Sequence, residues 1–128
     1  MEFIKQCLEE EPAIFTECLL GVGFSVEQAR QFLADVSPVI IESTQKTGAF
    51  RTISCLLSDC QRQVPKIIDV EIIAKSSAIN VEQVIKGLHE IALTLLQVYS
   101  KESKSFVKAA SSFSGLKQAS QLSRWYKH

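Results

Sequence analysis

An apolar stripe between Asn80 and Val98 limits the possible folds of this chain more than any other feature. The stretch reads "NVEQVIKGLHEIALTLLQV", and its apolar residues return every three or four positions, which is the period of an α-helix. Asn80 is a typical N-cap residue, and Gln83 stands three positions after it. Because the apolar face is wide, we expect a central helix over about residues 81–100 that other helices bury. Its main stripe consists of Val84, Leu88, Ile91, Leu95 and Val98.

A second helix start with almost the same letters lies within "GFSVEQARQFL". Ser25 and Gln28 have the spacing of a capping box, in which each side chain bonds the backbone N–H of the other residue. Phe24 and Ala29 occupy the positions of a hydrophobic staple around this cap. The helix is expected to kink or restart at Pro38, which has no N–H to donate. It is expected to bury Val26, Phe32, Leu33 and Val36.

The echo between these two starts, which lie 55 residues apart, has two explanations. One is a duplicated helical unit, which would divide the chain into pseudo-repeat halves at residues 1–64 and 65–128. The other is that every helix start needs capping residues, because its first backbone N–H groups have no partner within the helix. The echo is therefore good evidence for two helix starts, whether or not the chain is duplicated.

Helical spacing covers most of the remaining chain and predicts further helices over about 2–10, 12–20 and 49–62. The β-branched run in "KIIDVEIIAKSSA" would suit a strand, but no partner strand is found elsewhere, so we interpret it as a helix. The predicted fold is all-α, a single compact domain over 1–128 with six or seven helices around the helix at 81–100. Residues 116–128 form either a docked end or a frayed tail. Ile14, Phe50 and Ile72 are among the apolar residues expected to face the core.

Residues 19–48 read "LLGVGFSVEQARQFLADVSPVIIESTQKTG". A Leu-Gly turn leads into a capped helix, an A-x-x-x-L step, a proline and an apolar run that ends near a glycine. This order resembles a segment of the YidB-like bacterial proteins. The resemblance covers about a quarter of the chain and implies an all-α fold, with no catalytic residues to carry over.

Composition places the chain among ordinary globular domains, since 46% of its 128 residues are hydrophobic and 22% are charged. The first residues lack the basic and apolar regions of a secretory signal, and no apolar run approaches the roughly 20 residues that span a bilayer. The four cysteines show no metal-ligand spacing and are expected to be reduced thiols. We therefore expect a soluble, cytoplasmic protein.

Groups that perform chemistry are scarce in this sequence. Its two histidines are His89 and His128, and His89 has no base or acid at a spacing that would form a catalytic pair. Cys55 or Cys60 would need such a base to act as a nucleophile. No phosphate-binding loop or metal motif is present. The sequence therefore predicts no enzyme, no metal and no cofactor, and it ranks a small-molecule function third.

Charge is divided unevenly along the chain, although the formal net charge is zero. Residues 1–64 carry five basic and nine acidic groups, a net charge of −4, whereas residues 101–128 carry six basic groups and one acid, a net charge of +5. We predict a non-catalytic helical protein-interaction module that binds another protein or itself, with anionic lipid or nucleic acid as the alternative ligand of segment 101–127. The candidate interaction residues are Lys101, Lys104, Lys108, Lys117, Arg124, Trp125, Tyr126 and Lys127.

Overall fold

The computed structural model describes the backbone of residues 2–111 and the side chains of residues 3–100. This part of the chain contains six α-helices and no strand, which confirms the predicted all-α class. The segment with the β-branched run is interpreted correctly only in its second part: Val70–Ser77 forms a helix, whereas residues 66–68 precede it in a bend. The helices are α1 (Glu2–Glu10), α2 (Pro12–Gly21), α3 (Val26–Thr47), α4 (Ala49–Gln61), α5 (Val70–Ser77) and α6 (Val81–Ser111).

The chain divides into two compact units, Met1–Thr94 and Leu95–His128. The first unit contains α1 to α5 and the beginning of α6. Helix α6 runs to Ser111 and is longer than the predicted helix at 81–100, because no glycine or proline interrupts it after Gly87. No helix in the described part of the chain is long and apolar enough to cross a membrane.

Helix α3 is the hub of the first unit, since it contacts α1, α2, α4 and α5. Its start is the predicted capping box: the backbone N–H of Gln28 donates to Ser25 Oγ at 3.1 Å, and the backbone N–H of Ser25 donates to Gln28 Oε1 at 3.0 Å. Pro38 lies inside the helix, which continues past it to Thr47 rather than restarting. Gly48 ends α3 at a φ of 96°, a backbone conformation that glycine adopts at little cost.

Helices α3 and α6 meet at equivalent positions of the two predicted helix starts. Gly87 and Phe32 each lie seven residues after their N-cap, and a Cβ on Gly87 would come within 2.9 Å of the Phe32 ring. The two glutamines at the third helical positions also bond across. Gln28 Nε2 donates to the carbonyl of Ala78 at 3.1 Å, and Gln83 Nε2 donates to the carbonyl of Val22 at 2.7 Å. The two starts are therefore reciprocally joined, and these bonds are compatible with both explanations of their similarity, duplication and the common need for capping residues.

The core of the first unit is built from aliphatic and aromatic side chains of all six helices. The predicted stripe of α6 is confirmed here, because Val84, Leu88 and Ile91 are fully buried. Phe24 and Phe32 pack with their ring centroids 5.1 Å apart, beside Gly87. Other large, fully buried side chains of this unit are Ile4, Phe15, Leu19, Val36, Ile40, Ile53 and Leu56.

Four apolar residues that were expected to be buried lie at the surface, and these expectations were wrong. Ile14, Val26, Phe50 and Ile72 are 41, 50, 57 and 62% exposed. Helix α4 shows the reason. Its buried face includes Thr52 and the small residues Ala49 and Cys60. Phe50 directly follows Ala49, so its side chain lies on a different side of the helix from that face. The buried residues of α4 are Ala49, Thr52, Ile53, Leu56 and Cys60.

Candidate binding groove along the third helix

A groove runs along one side of α3, where α1 and α2 form its opposite wall. It consists of two adjoining cavities that share Ala34 and Ser37. The first, which we name the apolar pocket, has a volume of about 410 Å³ and is lined by Leu8, Pro12, Ala13, Thr16, Arg30, Leu33, Ala34 and Ser37. The second, the acidic pocket, has a volume of about 460 Å³ and is lined by Glu9, Ala34, Ser37, Pro38, Ile41, Glu42 and Gln45. Together they form the α3 groove.

The wall opposite α3 exists because the chain breaks between α1 and α2. Proline suits the first turn of a helix, since its missing N–H would have no partner there, and Pro12 begins α2. The backbone N–H of Glu11 still bonds the carbonyl of Cys7 at 3.0 Å, so the turn is tight. Leu8 and Leu33 are both buried at the base of the apolar pocket. The groove therefore has an apolar floor between two helices and their junction.

The shared wall of the two pockets has unsatisfied hydrogen-bonding capacity. Ser37 Oγ is buried, and it has no hydrogen-bond partner among the residues that the structure describes. Pro38 has no N–H, so the carbonyl of Ala34, four residues earlier, loses its normal partner within the helix. Ala34 itself is exposed, so its surroundings are open to a ligand.

Opposite charges mark the two ends of the groove. Arg30 lines the apolar pocket, and no ion pair is found for it among the described residues. Glu9 and Glu42 line the acidic pocket. Glu42 Oε1 lies 3.3 Å from Lys46 Nζ, but both side chains are largely exposed, so this pair is weak. Glu9 lies in the last turn of α1, where the helix dipole adds negative potential.

The predicted interaction residues lie elsewhere in the chain. The backbone positions of Lys101, Lys104 and Lys108 belong to α6, and their spacing places them on one side of that helix. The other five predicted residues lie outside the described part of the chain; they are Lys117, Arg124, Trp125, Tyr126 and Lys127. The segment remains a candidate interaction surface.

The thiols of the first unit differ in their surroundings. Burial, with a smaller contribution from the nearby Asp59 carboxylate, raises the pKa of Cys60 to about 11. Cys60 therefore stays protonated at neutral pH, unlike the thiolate that nucleophilic catalysis requires. Cys18 Sγ lies 2.8 Å from Thr94 Oγ1, and Cys55 is exposed. Among the residues that the structure describes, no three His, Cys, Asp or Glu side chains are placed to hold a metal ion.

Sequence reasoning missed the α3 groove, although two of its signals are visible in the letters. Pro38, expected from the sequence only to kink or restart its helix, and Pro12, at the start of the helix predicted over 12–20, both line the groove. Ala34 and Ser37 are small residues one turn apart before Pro38, which leaves room beside the helix. What the letters do not show is that α1 and α2 pack along this side of α3, since those contacts join separate segments.

Comparison with known proteins finds no relative of this chain. No protein-family model, no curated protein and no solved structure matches the chain. The resemblance of residues 19–48 to YidB-like bacterial proteins stays a prediction. The function of this chain is therefore inferred from the geometry and chemistry of the groove.

Proposed function

We propose that this protein is a non-catalytic helical module that binds another protein through the α3 groove. The observation that carries the proposal is the open, apolar groove itself, whose two pockets of about 410 and 460 Å³ adjoin along four turns of α3. An apolar floor with charged groups at its ends is the usual composition of a protein-binding surface, in which apolar burial supplies affinity and the polar rim supplies specificity.

Site-specific photo-crosslinking tests this proposal. A benzoylphenylalanine replaces Ala34 at the centre of the groove, and a matched probe replaces Lys75 on the exposed side of α5. In the cells that produce the protein, we expect defined adducts from position 34 and none of the same mass from position 75. The Ala13→Trp substitution, which fills the apolar pocket, should remove these adducts. Adducts that are equal at both positions, or that persist with Ala13→Trp, would contradict a groove-directed function.

A second candidate function is binding of anionic lipid or nucleic acid through residues 101–127. It is supported by the continuation of α6 to Ser111, which keeps positions 101, 104 and 108 in one helical register. Three cations on one side of a helix suit a phosphate-rich surface. The net charge of +5 over residues 101–128 also favours an anionic ligand.

Salt dependence and a matched charge change test this second candidate. Binding to heparin and to vesicles that contain phosphatidylserine should fall steeply with salt. The triple substitution of Lys101, Lys104 and Lys108 to glutamine should weaken binding strongly. A control triple substitution to glutamine at Arg62, Lys66 and Lys75 should weaken it little. No retention at low salt, or equal losses in both triple variants, would refute a role for the segment.

A further inference from the structure

We propose that the partner of the α3 groove is a basic amphipathic helix that places an apolar side chain in the apolar pocket and an arginine or lysine side chain in the acidic pocket. This inference rests on the proposed protein-binding function and adds the chemistry of the partner. It follows from the charges, the acceptors and the spacing of the two pockets.

The acidic pocket is suited to a cation because its polar groups are mainly acceptors. Glu9 and Glu42 supply carboxylates, and Gln45 supplies an amide oxygen. An arginine guanidinium carries five N–H donors and no acceptor, so it can satisfy several of these oxygens at once. The weak, exposed pair between Glu42 and Lys46 leaves the Glu42 carboxylate able to exchange partners.

Apolar surface between these acceptors fits the stem of the same cationic side chain. Pro38 and Ile41 line the acidic pocket beside the two carboxylates. Lysine and arginine bury their methylene stems on such surface while their charged ends remain among polar groups. An acidic side chain would instead meet two like charges and no donor other than the Gln45 amide and the Ser37 hydroxyl. The pocket therefore selects a basic residue over an acidic one.

The charge of the whole first unit favours the same partner. Residues 1–94 contain eight basic and thirteen acidic groups, a net charge of −5. A field of this sign increases the rate at which basic segments meet the surface and slows acidic ones. The acidic pocket and the net negative charge of the first unit therefore both favour a basic partner.

The spacing of the pockets defines the pattern of the partner. Their linings centre roughly six residues apart along α3, which at about 1.5 Å per residue corresponds to ~9 Å. On a partner helix, residues seven apart share one face and lie ~10 Å from each other along the axis. A partner helix therefore needs its apolar anchor and its basic anchor at positions i and i+7.

Three designed peptides test the inference against the full chain. Each has about twelve residues in an alanine- and glutamine-rich helical background, with one leucine as the apolar anchor. The test peptide has arginine at i+7, the charge control has glutamate there, and the spacing control has arginine at i+5, which lies on another face. Fluorescence anisotropy measures affinity at low salt, and NMR shift perturbation extends the measurement to millimolar peptide.

We expect the arginine i+7 peptide to bind about tenfold more tightly than either control, a difference of about 1.4 kcal/mol, because the glutamate control replaces an attraction by a repulsion and the spacing control cannot fill both pockets. The double variant Glu9→Lys/Glu42→Lys should weaken this peptide about tenfold and should strengthen the glutamate peptide. A matched double variant outside the groove, Glu17→Lys/Glu71→Lys, changes the net charge equally and should leave the ranking of the three peptides unchanged.

The failures of the two proposals are distinguishable. Suppose that benzoylphenylalanine at position 34 crosslinks a partner, but the three peptides bind equally or none of them perturbs the NMR spectrum. The basic-helix inference is then overturned, and the proposed function of the groove stands. If the two double variants behave alike, bulk charge accounts for the effect and the inference also fails. A dimer in sedimentation that Glu9→Lys/Glu42→Lys dissociates, but that the triple glutamine variant at Lys101, Lys104 and Lys108 leaves intact, would show that a surface of a second copy other than its basic helix covers the groove, which likewise overturns the inference.

Discussion

Substitution of Gly87 by alanine tests how closely α3 and α6 cross. A Cβ at this position would lie 2.8 Å from Cζ of Phe24 and 2.9 and 3.0 Å from two atoms of the Phe32 ring. Both rings are buried and pack on each other, so neither can swing away into solvent. We therefore expect the added methyl group to push the two helices or the two rings apart.

The magnitude follows from two opposing terms. Replacement of a glycine inside a helix by alanine gains about 1 kcal/mol of helix propensity. Overpacking of a well-packed core costs roughly 1–3 kcal/mol. The net expectation is a loss of about 1 kcal/mol in the free energy of unfolding. For a chain of this size that loss lowers the melting temperature by about 4 °C.

Urea denaturation followed by circular dichroism at 222 nm measures this loss, with Gly21→Ala as the matched control. Gly21 ends α2, and a Cβ there would meet no atom within 4 Å, so alanine should be neutral or stabilising by roughly 0.5 kcal/mol. In a Phe32→Leu background, the penalty of Gly87→Ala should shrink by about 1 kcal/mol, because part of the ring is gone. A Gly87→Ala protein that is as stable as the wild type, or a penalty unchanged by Phe32→Leu, would refute the close crossing.

Three further predictions concern local features of the first unit. Ser25→Ala and Asn80→Ala should each lower the free energy of unfolding by about 1 kcal/mol in urea denaturation, because each removes a cap; no loss at either would argue against that cap. Ser77→Ala should be neutral or raise stability by up to about 1 kcal/mol in the same assay, since its buried hydroxyl has no hydrogen-bond partner in the described part of the chain; a loss of more than about 1 kcal/mol would contradict this. Because burial raises the folded-state pKa of Cys60 to about 11 from 9.0, its contribution to stability should be complete below pH 9 and lost as the pH rises towards 11. A Cys60→Ala variant should lose that part of the pH dependence, and at pH 8 iodoacetamide should label Cys55 well before Cys60, as read by peptide mass spectrometry.

The all-α class and the positions of the helix starts could be predicted from the sequence because their causes are local. The cap at Ser25 satisfies a backbone N–H only three residues away, and Asn80 Oδ1 accepts from the N–H of Gln83 at 2.8 Å in the same way. The apolar period of α6 likewise requires only neighbouring turns of one helix. Interactions between residues this close in the chain can be inferred from a few consecutive residues of the sequence.

The buried faces were harder to predict, because a period shows that a stripe exists without showing where it is centred. Phe50 and Ile72 are large and apolar, yet the core contacts lie on the adjacent faces of α4 and α5, formed partly by smaller residues such as Ala49 and Ala74. The size of an apolar side chain favours its burial, but this is a property of a single residue. Which face of a helix is buried depends on how closely several helices can pack together.

The two similar helix starts show where the sequence alone was sufficient and where tertiary structure decided. The letters determined that helices begin after Ser25 and Asn80, since the unpaired N–H groups and their capping side chains are neighbours in the chain. They did not determine that Gln28 would reach Ala78 and Gln83 would reach Val22, each more than 45 residues away. The α3 groove has the same origin, because Leu8, Pro12 and Ser37 become neighbours only when α1 and α2 pack on α3. Such contacts depend on the packing of the whole unit, which no short stretch of sequence specifies.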